Sequence, residues 1–143
     1  MAMEIRIANS VEEIERTFPI MKQLREKLSL EQYAERVALQ HAEGYQIAFV
    51  ESDKKIVAVA GFRFLNMLFS GKTLYVDDLV TDETQRSHGF GEALLKWLID
   101  FAKENDCQTF SLDSGVQRKR AHRFYFVQGM YVTSFHFELS LVQ

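Results

Sequence analysis

The chain has 143 residues, 47% hydrophobic and 13% aromatic, which is enough for one ordinary core and too aromatic for a disordered chain. A net charge of −3 offers no overall attraction for nucleic acid. The lone cysteine, Cys107, excludes an intramolecular disulfide, no apolar run approaches the roughly 20 residues that span a bilayer, and the first ten residues lack a signal-peptide core. The expectation is one soluble, cytoplasmic domain over residues 1–143.

Residues 3–8 alternate, Ile5 and Ile7 against Glu4 and Arg6, and read as a short strand. Val11, Ile14, Phe18, Met21 and Leu24 recur at helical spacing, with Asn9 or Ser10 as the cap and Pro19 as an expected interruption. Ser29 and Gln32 have capping-box spacing, and Tyr33, Val37 and Gln40 carry a second helix to Gly44. The alternative there is a loop that orders only around substrate. Residues 45–51, 56–64 and 73–81 are rich in β-branched and aromatic side chains and are separated by polar turns, as three antiparallel strands would be. Ala93, Leu94, Trp97, Leu98, Phe101 and Ala102 form a helical stripe. A strand over 109–114, a helix over 118–128 closed by Gly129, and a long last strand over 131–141 complete the chain. The expected architecture is α/β: a layered domain with a mixed central sheet of about six strands and about four helices.

The chemistry concentrates in two stretches. In the first, a strand runs into Arg86, Ser87, His88, Gly89, Phe90 and Gly91 at the start of the amphipathic helix. Glycines there let a ligand approach the backbone, and the unpaired N–H groups of the first turn favour an anion such as a pyrophosphate. No Gly-Lys-Ser/Thr follows, so this is no Walker loop, and the third glycine of a dinucleotide fingerprint is missing. The second stretch contains Arg118, Ala121, Phe124, Tyr125 and Gly129, followed by Met130.

Together these residues resemble the GNAT superfamily of N-acetyltransferases. Gln/Arg-x-x-Gly-x-Gly/Ala is matched by Arg86, Gly89 and Gly91. Asn-x-x-Ala-x-x-Phe-Tyr-x-x-x-Gly-Phe is matched by Ala121, Phe124, Tyr125 and Gly129, with Arg118 in place of Asn and Met130 in place of the final Phe. The resemblance implies a sheet splayed between its fourth and fifth strands and direct transfer from acetyl-CoA to an amine in a ternary complex. It further implies that the backbone of Leu79, Val80 and Thr81 pairs with pantetheine, with the N–H of Leu79 or Val80 polarising the thioester carbonyl. The amides from Arg86 through Ser87, His88, Gly89 and Phe90 to Gly91 would hold the pyrophosphate. Tyr125 would be the general acid for the departing thiolate; the competing reading is a helix aromatic packed on the sheet.

Arg118, Ala121, His122 and Tyr125 share one helix face, where Ala121 leaves room for the acyl donor and Arg118 can reach a phosphate. Asp77 and Asp78 lie mid-strand among apolar residues, a costly position unless solvated or used. Strand alternation would send them to opposite faces, and Asp78 is the choice for base or amine anchor, with an acid satisfied only by neighbouring hydrogen bonds as the equal alternative. Asp113 and Ser114 are candidates for acceptor binding. A hydrophobic stretch over 62–69, with the first two helices, is expected to wall the acceptor side, and its aromatics suit core or a dimer contact equally. The four histidines and Cys107 show no metal-ligand spacing. The expected activity is acetyl-CoA-dependent N-acetylation of a small-molecule or peptide amine. A non-catalytic acyl-CoA-binding domain of the same fold is the alternative, and a nucleic-acid module has only the basic residues of 118–123 behind it. The alternating apolar residues of 131–141 set the further expectation of a homodimer, with a segment paired wholly within one subunit as the equal alternative.

Overall fold

The computed structural model describes residues 2–142. Residues up to Ser111 form one compact unit, and those from Leu112 onward form a second.

A five-stranded sheet, within the first unit but for the last residue of β5, runs in the order β1 (Met3–Ile7), β2 (Gln46–Ser52), β3 (Lys55–Met67), β4 (Gly71–Thr81), β5 (Thr109–Leu112). The first three pairings are antiparallel. Asp53 and Lys54 adopt positive φ in the two-residue turn between β2 and β3, the backbone that matches strand twist in a tight hairpin. The start of β5 lies beside the start of β4, where the Gln108 N–H donates to the Lys72 carbonyl at 2.8 Å, so these two strands run in the same direction. The sheet is therefore mixed, as expected. It has five strands rather than six.

Helix α1 (Val11–Leu24) begins at Ser10, whose hydroxyl accepts from the Glu13 N–H. It continues through Pro19 instead of breaking there. A proline costs about 3 kcal/mol in a helix interior, while Ile20 and Met21, both buried, each return about 1.5–3 kcal/mol on burial. Helix α2 (Leu30–His41) carries both halves of the capping box between Ser29 and Gln32, so this segment is a helix in its own right and not a substrate-ordered loop. Both helices pack through Ile20, Met21, Tyr33 and Val37 onto Tyr45, Ile47, Phe49 and Val59. Helix α3 (Phe90–Glu104) packs on β2, β3 and β4, burying Phe90, Leu94, Leu95 and Leu98. Phe62 and Phe64 of β3 meet Phe101 of α3, which stacks on Trp97.

The second unit contains α4 (Lys119–Val127). Its end is a Schellman motif: the Gly129 N–H donates to the Phe126 carbonyl and the Met130 N–H to the Tyr125 carbonyl, with Gly129 at φ 88°. The expected last strand over 131–141 is not formed. Phe135, Phe137, Leu139 and Leu141 are all strongly exposed. Alternation in sequence marks a segment with one apolar face, but a strand exists only where a neighbour takes its backbone hydrogen bonds.

Candidate active site

The site is built on an irregularity in β4. Gly61 pairs with Asp78 and Phe62 with Val76, so Asp77 is an extra residue opposite a shared position on β3. The bulge overturns the alternation expected for the acid pair. Asp77 and Asp78 both line one cavity of about 300 Å³ beneath α1 and α2.

Each acid is held. The Tyr45 hydroxyl donates to Asp78 Oδ2 at 2.6 Å, and Arg25 donates through Nε to Oδ1 at 2.9 Å. Arg63 grips Asp77 with Nε 3.1 Å from both oxygens and Nη2 2.9 Å from Oδ2, and it reaches Glu43 at 3.7 Å. The same guanidinium lies 5.4 Å from the centroid of the Tyr45 ring. Burial pushes the Asp77 carboxyl above the usual carboxylate range, against the pull of Arg63. The Tyr45 phenol is pushed well up, first by burial and then by the charge of Asp78. Gly61 makes this arrangement possible, because a Cβ there would lie 1.7 Å from the Tyr45 hydroxyl oxygen.

Helix α2 contributes Tyr33, Arg36, Val37 and Gln40 to the cavity, and α1 with its following loop contributes Met21, Arg25 and Leu28. None of residues 62–69 lines this cavity. Phe62 and Phe64 point to the α3 side of the sheet, and Leu68 and Phe69 are exposed at the hairpin end. Aromatic content alone does not say which face of a strand is being filled.

Past the acids, Leu79, Val80 and Thr81 complete β4, paired with β3 on one side only as far as β5 is concerned. Starting beside Lys72, the four residues of β5 extend no further than about Asp77 at some 3.3 Å per residue. Alternate backbone groups of Leu79 to Thr81 thus face away from β3 beyond the end of β5. Gln23 of α1 clamps the chain that follows, donating to Asp82 Oδ1 at 3.2 Å and accepting from the Glu83 N–H at 2.9 Å. After the 3-10 turn Glu83–Gln85 come Arg86, Ser87 and His88, all exposed, with Ser87 at φ 73°. Gly89, at φ 80°, starts α3 without a side-chain cap. The first N–H groups of α3, from Phe90 and Gly91 onward, are left to an external acceptor. His88 Nδ1 lies 3.0 Å from the Gln85 carbonyl, and its ring stacks on buried Phe90. A Cβ on Gly91 would press on Thr81 Oγ1 at 2.8 Å, so glycine keeps the loop tight against the strand end.

In the second unit the Tyr125 ring meets Phe124 edge-on at 5.6 Å, and burial pushes its phenol above the ordinary value, with Arg118 acting the other way. Arg118 stands at the N-cap position of α4 without a side-chain capping bond and is exposed, whereas Ala121 is half-buried. His122 Nε2 lies 2.7 Å from the Gly115 carbonyl, tying the helix to the preceding loop. Asp113 pairs with His136 at 3.2 Å. The Ser114 hydroxyl is buried with no partner among the described residues.

A family model for the acetyltransferase (GNAT) family matches residues 8–130. The chain belongs to the GNAT acetyltransferase family. The uncharacterised N-acetyltransferase YhdJ of Bacillus subtilis (strain 168) is 38% identical over 117 residues, covering 81% of this chain and 82% of that protein. Glucosamine-6-phosphate N-acetyltransferase from Arabidopsis thaliana superposes with a TM-score of 0.77 at 22% identity, over 99% of this chain and all of the other. Aminoglycoside N-acetyltransferase AAC(6')-Iy in complex with CoA gives 0.85 at 14% identity, over 97% and 94% of the two chains. At such identities these structures speak for the fold. This GNAT protein is an acyltransferase, of a family that uses acetyl-CoA. Among the described residues no helix is long and apolar enough to cross a membrane, and no group of three or more acidic, His or Cys side chains is placed to hold a metal ion.

Sequence reasoning missed Arg25, Tyr45 and Arg63, which hold the two acids. Glycine at position 61, inside a run of β-branched and aromatic residues, was the available signal: it marks a bulge or a close approach.

Proposed function

We propose that this acyltransferase moves the acetyl group of acetyl-CoA to a primary amine of a small molecule in a ternary complex, the whole of residues 1–143 acting as one N-acetyltransferase domain in the cytoplasm. The observation that carries this reading is the continuity of β4. One strand brings two carboxylates to a cavity, then presents backbone beyond the end of β5, then leads into an uncapped helix N-terminus. The open helix start fits the donor's pyrophosphate, and the buried, partnerless Ser114 hydroxyl suits a polar group of the acceptor.

Acetyl-CoA supplies the acetyl group as a thioester, whose carbonyl carbon accepts an amine lone pair. Arg86, Ser87, His88, Gly89, Phe90 and Gly91 bind the phosphates, with Arg118 as a further cation, and Leu79, Val80 and Thr81 align the pantetheine arm. Ala121 leaves room for that arm, and Phe124 packs beneath it. The N–H of Leu79 or Val80 donates to the thioester oxygen as negative charge develops there. Asp78 anchors the acceptor's ammonium or takes its proton, directly or through water, with Asp77 beside it on the same cavity wall as a further contact to the acceptor. Asp113 and Ser114 contact the acceptor. As the C–N bond forms and the C–S bond breaks, Tyr125 gives its proton to the leaving sulfur. The exposed apolar residues of 131–141 support a homodimer in which this segment gains a neighbour.

Thermal unfolding with acetyl-CoA, followed by thiol release over an amine panel, tests the reading. Saturating donor, at about 100 times its dissociation constant, should stabilise by about 2.7 kcal/mol. No shift with acetyl-CoA or CoA overturns donor binding, and a shift with no thiol release on any amine leaves acyl-CoA binding without chemistry.

A further inference from the structure

Four charged side chains line the cavity under α1 and α2, and three of them are committed. Asp78 is held by Tyr45 and Arg25, and Asp77 by Arg63. Arg36 is the exception: it forms no hydrogen bond, ion pair or ring contact among the described residues. Its place on the cavity is not incidental. Tyr33, Arg36, Val37 and Gln40 recur at helical spacing, so Arg36 lies on the same face of α2 as two buried cavity residues.

An amine acceptor is a cation before it reacts, and the acids at the cavity floor suit its ammonium. A plain monoamine would engage those acids and leave the Arg36 guanidinium, which lines the same cavity and is exposed to solvent, without a counterion. We infer that the acceptor carries an anionic group, a carboxylate or a phosphate, in addition to its amine, and that Arg36 binds this anion while Asp77 and Asp78 receive the amine. Arginine is the residue suited to it, since its planar fork matches either oxyanion with two parallel hydrogen bonds. A cavity of about 300 Å³ is at the small end for ligand sites, which keeps amine and anion within one compact molecule. This inference rests on the acetyl-transfer reading and sharpens it to a substrate class. Arg36 acts on binding and orientation, away from the reacting atoms.

The test compares β-alanine and 2-aminoethyl phosphate with 2-aminoethanol and 1,4-diaminobutane as acceptors, for the wild-type protein and for Arg36→Ala and Arg36→Lys. The anionic amines should have the higher kcat/KM, and whichever is higher identifies the oxyanion. Arg36→Ala should raise their KM by about 10- to 100-fold, the worth of a charge-assisted contact, with kcat nearly unchanged. Arg36→Lys should recover part of the loss, and 2-aminoethanol should be indifferent to both changes. Calorimetric binding of the two anionic amines without acyl donor gives a second readout that does not need turnover. If transfer proceeds with no preference for anionic amines, or if neither their KM nor their binding responds to Arg36→Ala, this inference is overturned while acetyl transfer stands. Absence of any donor-induced thermal shift would instead overturn the acetyl-transfer reading, and the calorimetry would still decide for or against Arg36.

Discussion

The Tyr45 hydroxyl reaches Asp78 Oδ2 at 2.6 Å by crossing β3 at Gly61, the one residue there with no side chain in its way. A phenol at the end of β2's lead-in thereby fixes a carboxylate on β4, while its ring carries the Arg63 guanidinium that fixes the neighbouring carboxylate. The acid pair is a property of three strands together.

Tyr45→Phe should therefore destabilise the protein by about 1.5–3 kcal/mol, the range for a hydrogen bond to an ionised group, and should raise the acceptor KM more than it lowers donor affinity. Gly61→Ala should give the same kinetic signature, because its Cβ would fall 1.7 Å from the Tyr45 hydroxyl and displace the phenol. Urea unfolding and steady-state kinetics on both variants check this. Unchanged acceptor KM in both would mean that the Tyr45 contact is not used in catalysis.

For Tyr125→Phe the ring and its packing on Phe124 persist, and the Schellman end of α4 is untouched. Loss of the hydroxyl should lower kcat by about 10²–10⁴-fold if it serves as a full general acid. Acetyl-CoA affinity should barely move. Full turnover in this variant, measured where chemistry limits the rate, would remove Tyr125 from the proposed mechanism.

Gly89 offers a cleaner probe of the phosphate loop than Gly91. A Cβ at Gly89 meets nothing within 4 Å, although φ 80° costs a side chain about 1 kcal/mol. Gly89→Val should thus lower the melting temperature modestly in the absence of ligand and abolish most of the stabilisation by CoA. Equal CoA-induced shifts in variant and wild type would place the phosphates elsewhere.

Alkaline stability should report on the aromatic wall of the cavity. Burial pushes the Tyr33 phenol from 10.0 up to about 12, and Tyr45 moves in the same direction. A pKa raised by folding means that the folded state favours the protonated phenol. That contribution is present in full below about pH 10 and is lost as pH climbs through about 12, a fall of about 2.7 kcal/mol for two units. Urea midpoints measured from pH 8 to 12 should drop steeply in the upper half of this range. Tyr33→Phe should flatten the drop; an identical slope would assign the sensitivity to other groups.

The exposed apolar face of 131–141 predicts association. Sedimentation should find a dimer at micromolar concentration, and Phe135→Ser with Phe137→Ser should shift it toward monomer with the first unit's fold intact. A concentration-independent wild-type monomer would dispose of the homodimer.

Local signals were legible where the chain itself supplies the partner. Ser10 and Ser29 cap the helices that their spacing announces, because a cap needs only atoms three residues away. The strands 45–51, 56–64 and 73–81 are found within a few residues of the predicted limits for a similar reason: tight turns pair neighbours in sequence. The segment 131–141 shows the opposite case, since its alternation is plain and its partner is not specified by anything nearby.

Residue type and spacing by themselves determined the α/β order, the uncapped glycine start of α3, and the family to which the two signature stretches belong. They could not decide that Asp77 and Asp78 face the same way. That depends on one extra residue in β4 measured against β3, and a bulge is a count between two strands, invisible along either one. Nor could they select Arg25, Tyr45 and Arg63, distant in sequence, as the groups that hold the acids. Those partners are chosen by distance in space, which is settled only when α1, α2 and the sheet bury their common core and leave two carboxylates that must be satisfied.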